Sequence, residues 1–338
     1  MSAHPPATMR RVMATQLGPP DHYVLVEQPI APLAPDEVLL RIRAVSLGHA
    51  DILVSAGRYQ VTPALPFVPG SEGSGTVVAV GTAVMGFAPG TSVTVTRPSG
   101  VLADHVVAKP DELAPMPEGM SFAEAAAYRS NYATALHALQ DRGALRPGET
   151  LLVLGSAGGV GIAAVQIGKR LGARVIAGAS TEQKRRFACE QGADLALDYS
   201  IPDWRGALKA MTGGRGIDLV FDPVGGPLFE PAFRSLAWGG RHLVVGFVGG
   251  PIARLPANLA LLKGAALVGV DIRQFALNEP ERHRANLACI DAWCTAGLRP
   301  PLGRSFDFTE FRAAMVAASH GTSLGKVVVE IDAIEPGA

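Results

Sequence analysis

The chain has 338 residues, 30 of them basic and 30 acidic, for a formal net charge of zero. That balance offers no overall field for nucleic acid or an anionic membrane, and no uninterrupted apolar run approaches the roughly 20 residues of a membrane span. Apolar residues make up 48% of the chain and charged ones 18%, enough for sizeable cores, and the length suits two domains. Cys189, Cys289 and Cys294 form no CxxC pair and no even disulfide set, which points to a reducing, cytoplasmic setting. The opening MSAHPPATMRR lacks the apolar segment of a secretory signal and reads as a loose tail.

From about Val12 to Val107 short β-prone runs such as VLLRIRAVSL, GTVVAVG and TSVTVT are punctuated by Gly and Pro. The character changes at PDELAPMPEGMSFAEAAAYRSNYATALHAL, where Ser121 with Glu124 three residues on is a capping-box signature opening an Ala-rich helical stretch. From Leu151 strands and helices alternate through LLVLG, ARVIAGA, LALDY, IDLVFD, RHLVVGF and ALVGVDI. Six strand candidates with helices in four of the links predict an α/β fold with a doubly wound parallel sheet. The final run GKVVVEI is again β-prone and is expected to return to the first domain.

The turn after the first of these strands reads GSAGGVG. Leu151–Leu154 is short enough for a buried parallel strand, Ala163–Leu171 has helical spacing, and Ala173–Ala179 forms a second strand, the setting a dinucleotide fingerprint requires. Ser156 stands where the first Gly of the motif is usual. Gly158 lets backbone approach a pyrophosphate, and Gly161 lets the helix pack on the strand. Ser156, Ala157, Gly158, Gly159, Val160 and Gly161 are therefore the expected phosphate turn, whose ligand would sit on free N–H groups at the helix N-terminus. The alternative is a glycine-rich turn without a ligand. Nineteen positions beyond Gly161 the residue is Ser180, then Thr181, with Lys184 within one helical turn. An NAD site would place an acid there. A hydroxyl and a cation instead suit a 2′-phosphate, with Glu182 read as a first-turn residue facing solvent.

These segments, with ADILVSAGRYQVTPALPFVPGSEGSGTVVAVG, DPVGG and GKVVV, resemble the zinc-independent quinone oxidoreductase branch of the medium-chain dehydrogenase/reductase superfamily, over about Met9 to Ile331. The resemblance implies a GroES-like β-rich catalytic domain over 9–130 with 273–338, and a Rossmann domain over 131–272. It also implies a nicotinamide in the cleft between them. Lys184 and Tyr199 match positions that grip the 2′-phosphate of NADPH, Thr134 matches a residue near the nicotinamide ribose, and Gly246 and Phe247 complete the expected cofactor set. NADPH is the expected cofactor.

Zinc-dependent relatives carry a Cys after the strand matching Ala44–Leu47, then GHE, then a four-Cys lobe. Here the positions read Gly48, then Gly70-Ser71-Glu72, without the lobe. His49, Asp51 and Glu72 are candidate ligands by type. They also read as a rim residue, a strand-end hydrogen-bond partner and an acid from behind a metal site left without its metal, and no metal is expected. Without a Lewis acid the chemistry should be reduction of an already electrophilic acceptor, a quinone or an α,β-unsaturated carbonyl. Tyr59 matches the Tyr that zinc-free enoyl reductases of the superfamily hold near substrate, and is the expected catalytic donor or else a packed loop-edge ring. Gly48 replaces a common Asn and removes an amide donor. Arg129 and Arg273 stand where the family has small, apolar or aromatic residues; they read either as binders of an acidic substrate or CoA phosphate, or as arginines satisfied at a boundary. Two alternatives stay open: an enoyl-thioester reductase using the apolar stretches Pro63–Phe67 and Leu255–Leu262, and a low-turnover NADPH-binding sensor. The resemblance further implies a homodimer joined through Ala266–Asp271, whose bare apolar edge would otherwise be a hazard.

Overall fold

The computed structural model describes residues 6–321 and 323–331. The first five residues of the expected loose tail lie outside this set. In chain order the strands are β1 (Thr8–Ala14), β2 (Tyr23–Pro29), β3 (Val38–Leu47), β4 (Glu72–Val80), β5 (Ser92–Thr96), β6 (His105–Ala108) and β7 (Leu113–Pro115). Then follow β8 (Thr150–Leu154), β9 (Arg174–Ala179), β10 (Leu195–Asp198), β11 (Ile217–Asp222), β12 (Leu236–Val244), β13 (Ala266–Gly269), β14 (Leu302–Asp307) and β15 (Lys326–Glu330). The α-helices are α1 (His49–Ser55), α2 (Phe122–Ala125), α3 (Arg129–Leu136), α4 (Gly159–Arg170), α5 (Glu182–Glu190) and α6 (Trp204–Met211). The rest are α7 (Phe229–Arg234), α8 (Ala257–Lys263), α9 (Ile272–Asn278), α10 (Pro280–Thr295) and α11 (Phe311–His320).

The chain divides into two compact units, one of residues up to Ser130 and from Asp291, the other Asn131–Ile290. The second crossing falls inside α10, eighteen residues beyond the boundary at 272 read from the sequence (290 − 272), because α9 and most of α10 cluster with the nucleotide unit. Within that unit, for example, Asn286 donates to Asp141 at 2.7 Å and His137 stacks on Phe275.

The first unit is built on a sheet ordered β14-β15-β3-β4-β5-β7, with β6 also pairing β3. Its core includes Val38, Leu40, Ile42, Val45, Val93, Val95 and Phe311. The last strand does return here. β15 runs antiparallel to β3, with Val327 opposite Leu47 and Val329 opposite Val45. Its three valines are buried, each worth about 1.5–3 kcal/mol of apolar burial.

In the second unit all five strand pairings are parallel, in the order β10-β9-β8-β11-β12-β13. This is the doubly wound order, with the switch of direction beside β8. β8 is buried at every residue, as a central parallel strand covered on both faces must be. Helices fill all five links, one more than the sequence pattern marked. The Ala-rich stretch after Ser121 is not one helix. Its capping box forms, Glu124 N–H donating to Ser121 Oγ at 3.2 Å and Ser121 N–H to Glu124 Oε2 at 2.8 Å. Yet α2 ends after one turn, and the break lets the Tyr128 hydroxyl reach Asp291 at 2.7 Å before α3 begins.

Candidate functional site

The nucleotide turn is made by backbone. Gly155 leaves β8 in the left-handed region, φ +60°, so the tight turn falls on it and not on Ser156. Ser156 is instead buried, and both its N–H (3.2 Å) and its hydroxyl (3.1 Å) donate to the Gly178 carbonyl, pinning the turn to β9. Ala157 is buried, and Gly158 is the N-cap of α4 without a side-chain cap. The first N–H groups of α4, from Gly159, Val160 and Gly161, have no intrahelical acceptor. A Cβ on Gly161 would stand 2.2 Å from the Gly155 carbonyl oxygen, so the helix start and the turn touch through backbone alone.

At the end of β9 the Thr181 hydroxyl caps α5, accepting from Lys184 N–H at 3.3 Å. The hydroxyls of Ser180 and Tyr199 are hydrogen-bonded to each other. Burial raises the Tyr199 phenol above its ordinary pKa and the bond to Ser180 opposes this, so the group stays a neutral donor at pH 7. Lys184 is half-buried one turn away. Arg185, which sequence reasoning passed over in the run QKRR, is also half-buried; it lies 2.9 Å from Asp198 Oδ2 and donates to the Ala179 carbonyl at 3.3 Å. Asp198, one of the two acids whose charge reaches Tyr199, is thus already paired. Glu182 is exposed and meets Arg186 at 3.3 Å.

Two further loops complete this edge of the sheet, since parallel strands deliver their C-terminal ends to one side. After β11, Asp222 Oδ1 accepts from Val224 N–H (2.8 Å) and Gly225 N–H (2.7 Å), while Oδ2 is 2.9 Å from His242 Nε2. Both side chains are buried. The sequence showed DPVGG but not this pairing, because His242 arrives from β12. Gly246 N–H donates to the Asp222 carbonyl at 3.3 Å, and the Phe247 ring is 46% exposed. Thr134 lies half-buried in α3. The turn, the uncapped helix start and the small residues there fit a dinucleotide pyrophosphate.

The first unit places its polar groups where β3 ends. Asp51 belongs to the first turn of α1 and not to a strand end. Its Oδ2 accepts from Gly48 N–H and its Oδ1 from the Ser71 hydroxyl, each at 2.8 Å. Glu72 is buried and accepts from Ser130 N–H at 3.0 Å and the Ser46 hydroxyl at 3.5 Å. Burial pushes the Glu72 carboxyl above its ordinary pKa, and the positive charge of Lys326 opposes this. Arg129 is satisfied within its own unit, 2.9 Å from Asp291. Arg273 is exposed on α9, His49 is exposed, and Tyr59 is half-buried just past α1.

These residues do not fit a zinc ion. Asp51 spends one oxygen on each of the two positions where a Cys and a His would be needed, Glu72 is occupied by Ser130 and Ser46, and Gly48 offers no donor. Among the described residues no group of three or more His, Cys, Asp or Glu side chains is placed to hold a metal. Nor is any helix among them long and apolar enough to cross a membrane.

The family described as alcohol dehydrogenase GroES-like domain matches residues 34–118, and that described as zinc-binding dehydrogenase matches 159–288. The chain is 35% identical over 310 residues to quinone oxidoreductase-like protein 2 of Bos taurus, covering 91% of this chain and 89% of that one. Among solved structures, a probable oxidoreductase from Mycobacterium abscessus superposes with TM-score 0.87 at 34% identity, covering 96% of this chain and all of that one. A mycobacterial protein complexed with NADPH superposes with TM-score 0.84 at 28% identity, covering 95% and 99%. A GroES-like domain together with a Rossmann sheet defines a medium-chain dehydrogenase/reductase. Within that superfamily the chain belongs to the quinone oxidoreductase branch. It is an oxidoreductase, a reductase that uses a nicotinamide cofactor on a small-molecule substrate.

Proposed function

We propose that the protein is an NADPH-dependent, zinc-free reductase of quinones or α,β-unsaturated carbonyls. One observation carries the cofactor choice: the hydrogen-bonded hydroxyls of Ser180 and Tyr199 stand beside Lys184, with the nearby Asp198 already paired to Arg185. A 2′-phosphate there would meet hydroxyl donors and cations, and no unpaired acid. When bound, the cofactor supplies hydride. The chain's own residues do the rest. Backbone N–H groups of 159–161 and the turn from Gly155 hold the pyrophosphate. Gly246 and Phe247 lie at the same sheet edge, and Asp222 with His242 fixes the loop between them. Tyr59 donates toward the acceptor oxygen, where charge develops on reduction.

Assembly follows from the sheet's bare edge. β13 ends the order, and Leu267 on it is 46% exposed, with Leu261 and Leu262 just before it exposed as well. A cytoplasmic homodimer pairing β13 with its two-fold copy would cover this edge. NADPH oxidation followed by absorbance against quinones, enones and enoyl-CoAs tests the reading. Turnover with quinones or enones and NADPH, and weak use of NADH, is the expected result. A preference for NADH, or turnover confined to enoyl-CoAs, would refute it.

A further inference from the structure

Lys326 is the first residue of β15, one position beyond the pair Val327–Leu47. That register brings it to Gly48. Its Nζ lies 3.0 Å from the point where a Cβ on residue 48 would stand, and Asp51 Oδ2 lies 3.7 Å from the same point. The residue is only 9% exposed. Two carboxylates belong to the same corner, and neither forms an ion pair with the ammonium. Asp51 is committed to Gly48 N–H and Ser71, and Glu72 to Ser130 and Ser46, although Glu72 feels the lysine's charge. No ion pair within 4.0 Å involves Lys326 among the described residues. The ammonium therefore has countercharge nearby but no carboxylate within 4.0 Å, which leaves its N–H groups open to another acceptor. Gly48 is what leaves it room.

We propose, on the reading of the protein as an acceptor reductase, that the Lys326 ammonium is a catalytic donor that hydrogen-bonds the acceptor oxygen beside Gly48 during hydride addition. It replaces both the metal of zinc-dependent relatives and the amide donor lost at residue 48. When an enone takes hydride at its β-carbon, its C=C pair becomes the bond between α-carbon and carbonyl carbon, and the carbonyl π pair moves onto oxygen. The oxygen's growing charge is met by a Lys326 N–H, and the ammonium keeps its proton. Solvent, through the Tyr59 hydroxyl, supplies the proton that completes the saturated ketone, and the cofactor departs oxidised. Asp51 and Glu72 balance the ammonium while substrate is absent.

The test compares wild type with Lys326→Met and Lys326→Arg. Loss of one oxyanion donor lowers kcat by about 10²–10³-fold. Lys326→Met should lose that much with cyclohex-2-enone, while NADPH affinity by tryptophan quenching changes less than about threefold, within the reach of minor packing effects. Lys326→Arg should retain part of the rate. A second readout needs no turnover: 4-nitrophenol, a phenol whose anion absorbs in the visible, should bind wild type as the phenolate and lose that band in Lys326→Met. Should Lys326→Met not fold, Lys326→Gln, which keeps a polar head but no charge, carries the same two readouts. Equal kcat in wild type and variant, or the same 4-nitrophenol spectrum with both, overturns the proposal. A wild type that oxidises NADPH with no acceptor defeats the reductase reading alone, and the phenolate band then still decides the role of Lys326.

Discussion

The nucleotide corner and the corner at Gly48 solve the same problem, holding negative charge, in opposite materials. In the first, backbone does the work. Gly155, Gly158 and Gly161 bring main-chain groups together, and side chains enter only at the rim through Ser180, Lys184 and Tyr199. In the second, side chains carry the charges, Asp51, Glu72 and Lys326 from three separate stretches of the chain, with the N–H groups of Gly48 and Ser130 and the hydroxyls of Ser46 and Ser71 as donors. A backbone site tolerates little added volume. A side-chain site tolerates volume but not loss of charge or hydrogen bonding.

The largest effect expected is in the first unit, at the proposed donor. Tyr59→Phe should slow enone reduction by about 10²–10⁴-fold, the usual range for general acid help, and quinone reduction far less, since a hydroquinone anion is already delocalised. Stopped-flow traces with both acceptors check it, and equal small losses would mean that Tyr59 only packs. Next comes the backbone corner. Gly161→Ala places a Cβ 2.2 Å from the Gly155 oxygen, so helix and turn must separate. Overpacking of this kind costs about 1–3 kcal/mol. Calorimetry should show a lowered Tm and titration a loss of both NADPH and NADH, whereas Gly158→Ala, with 3.6 Å to its nearest protein neighbour, should leave the Tm nearly unchanged.

Lys184→Ala sharpens the contrast at the rim. Removing a charge-assisted contact of about 1.5–3 kcal/mol should weaken NADPH about ten- to hundredfold, by the same arithmetic of 1.4 kcal/mol per decade, and leave NADH nearly unchanged. Equal losses for the two cofactors would move Lys184 off the 2′-phosphate. The smallest expected effect is a pH slope. Burial raises the Glu72 carboxyl, so the folded state holds its proton more tightly than the unfolded chain. Its contribution is fully present below the unfolded pKa and is lost as pH rises through the folded one. Glu72→Gln should therefore lose less stability than wild type as pH is raised from acid to neutral, measured as Tm against pH. A parallel decline in both would show that Glu72 stays ionised in the fold.

The two corners were also unequally legible from sequence. Alternation, the glycine spacing and the missing acid after β9 announced the parallel sheet and its turn, because those features are local in the chain. Composition does not reveal that Gly155, one residue before Ser156, takes the left-handed conformation. Arg185 was hidden in a basic run where only the helix face distinguishes neighbours. Around Gly48, the substitutions at residues 48 and 71 were visible. The approach of Lys326 was not, because it is set by the register of a strand 278 positions further on (326 − 48). Asp222 and His242 likewise meet only when β11 and β12 lie side by side.

The return of β15 to β3 has a consequence for synthesis. The nucleotide unit, Asn131–Ile290, is one continuous stretch, so it has emerged whole while the ribosome still holds the last strand. Until Lys326–Glu330 appears, one side of the β3 segment from Ala44 to Leu47 lacks its final partner, and pairing across such a separation is slow. A nascent or truncated chain thus presents an open strand edge to other chains. Lys326–Glu330 closes the sheet that β3 begins, and a deletion that removes it will be felt in yield and aggregation before it is felt in cofactor binding.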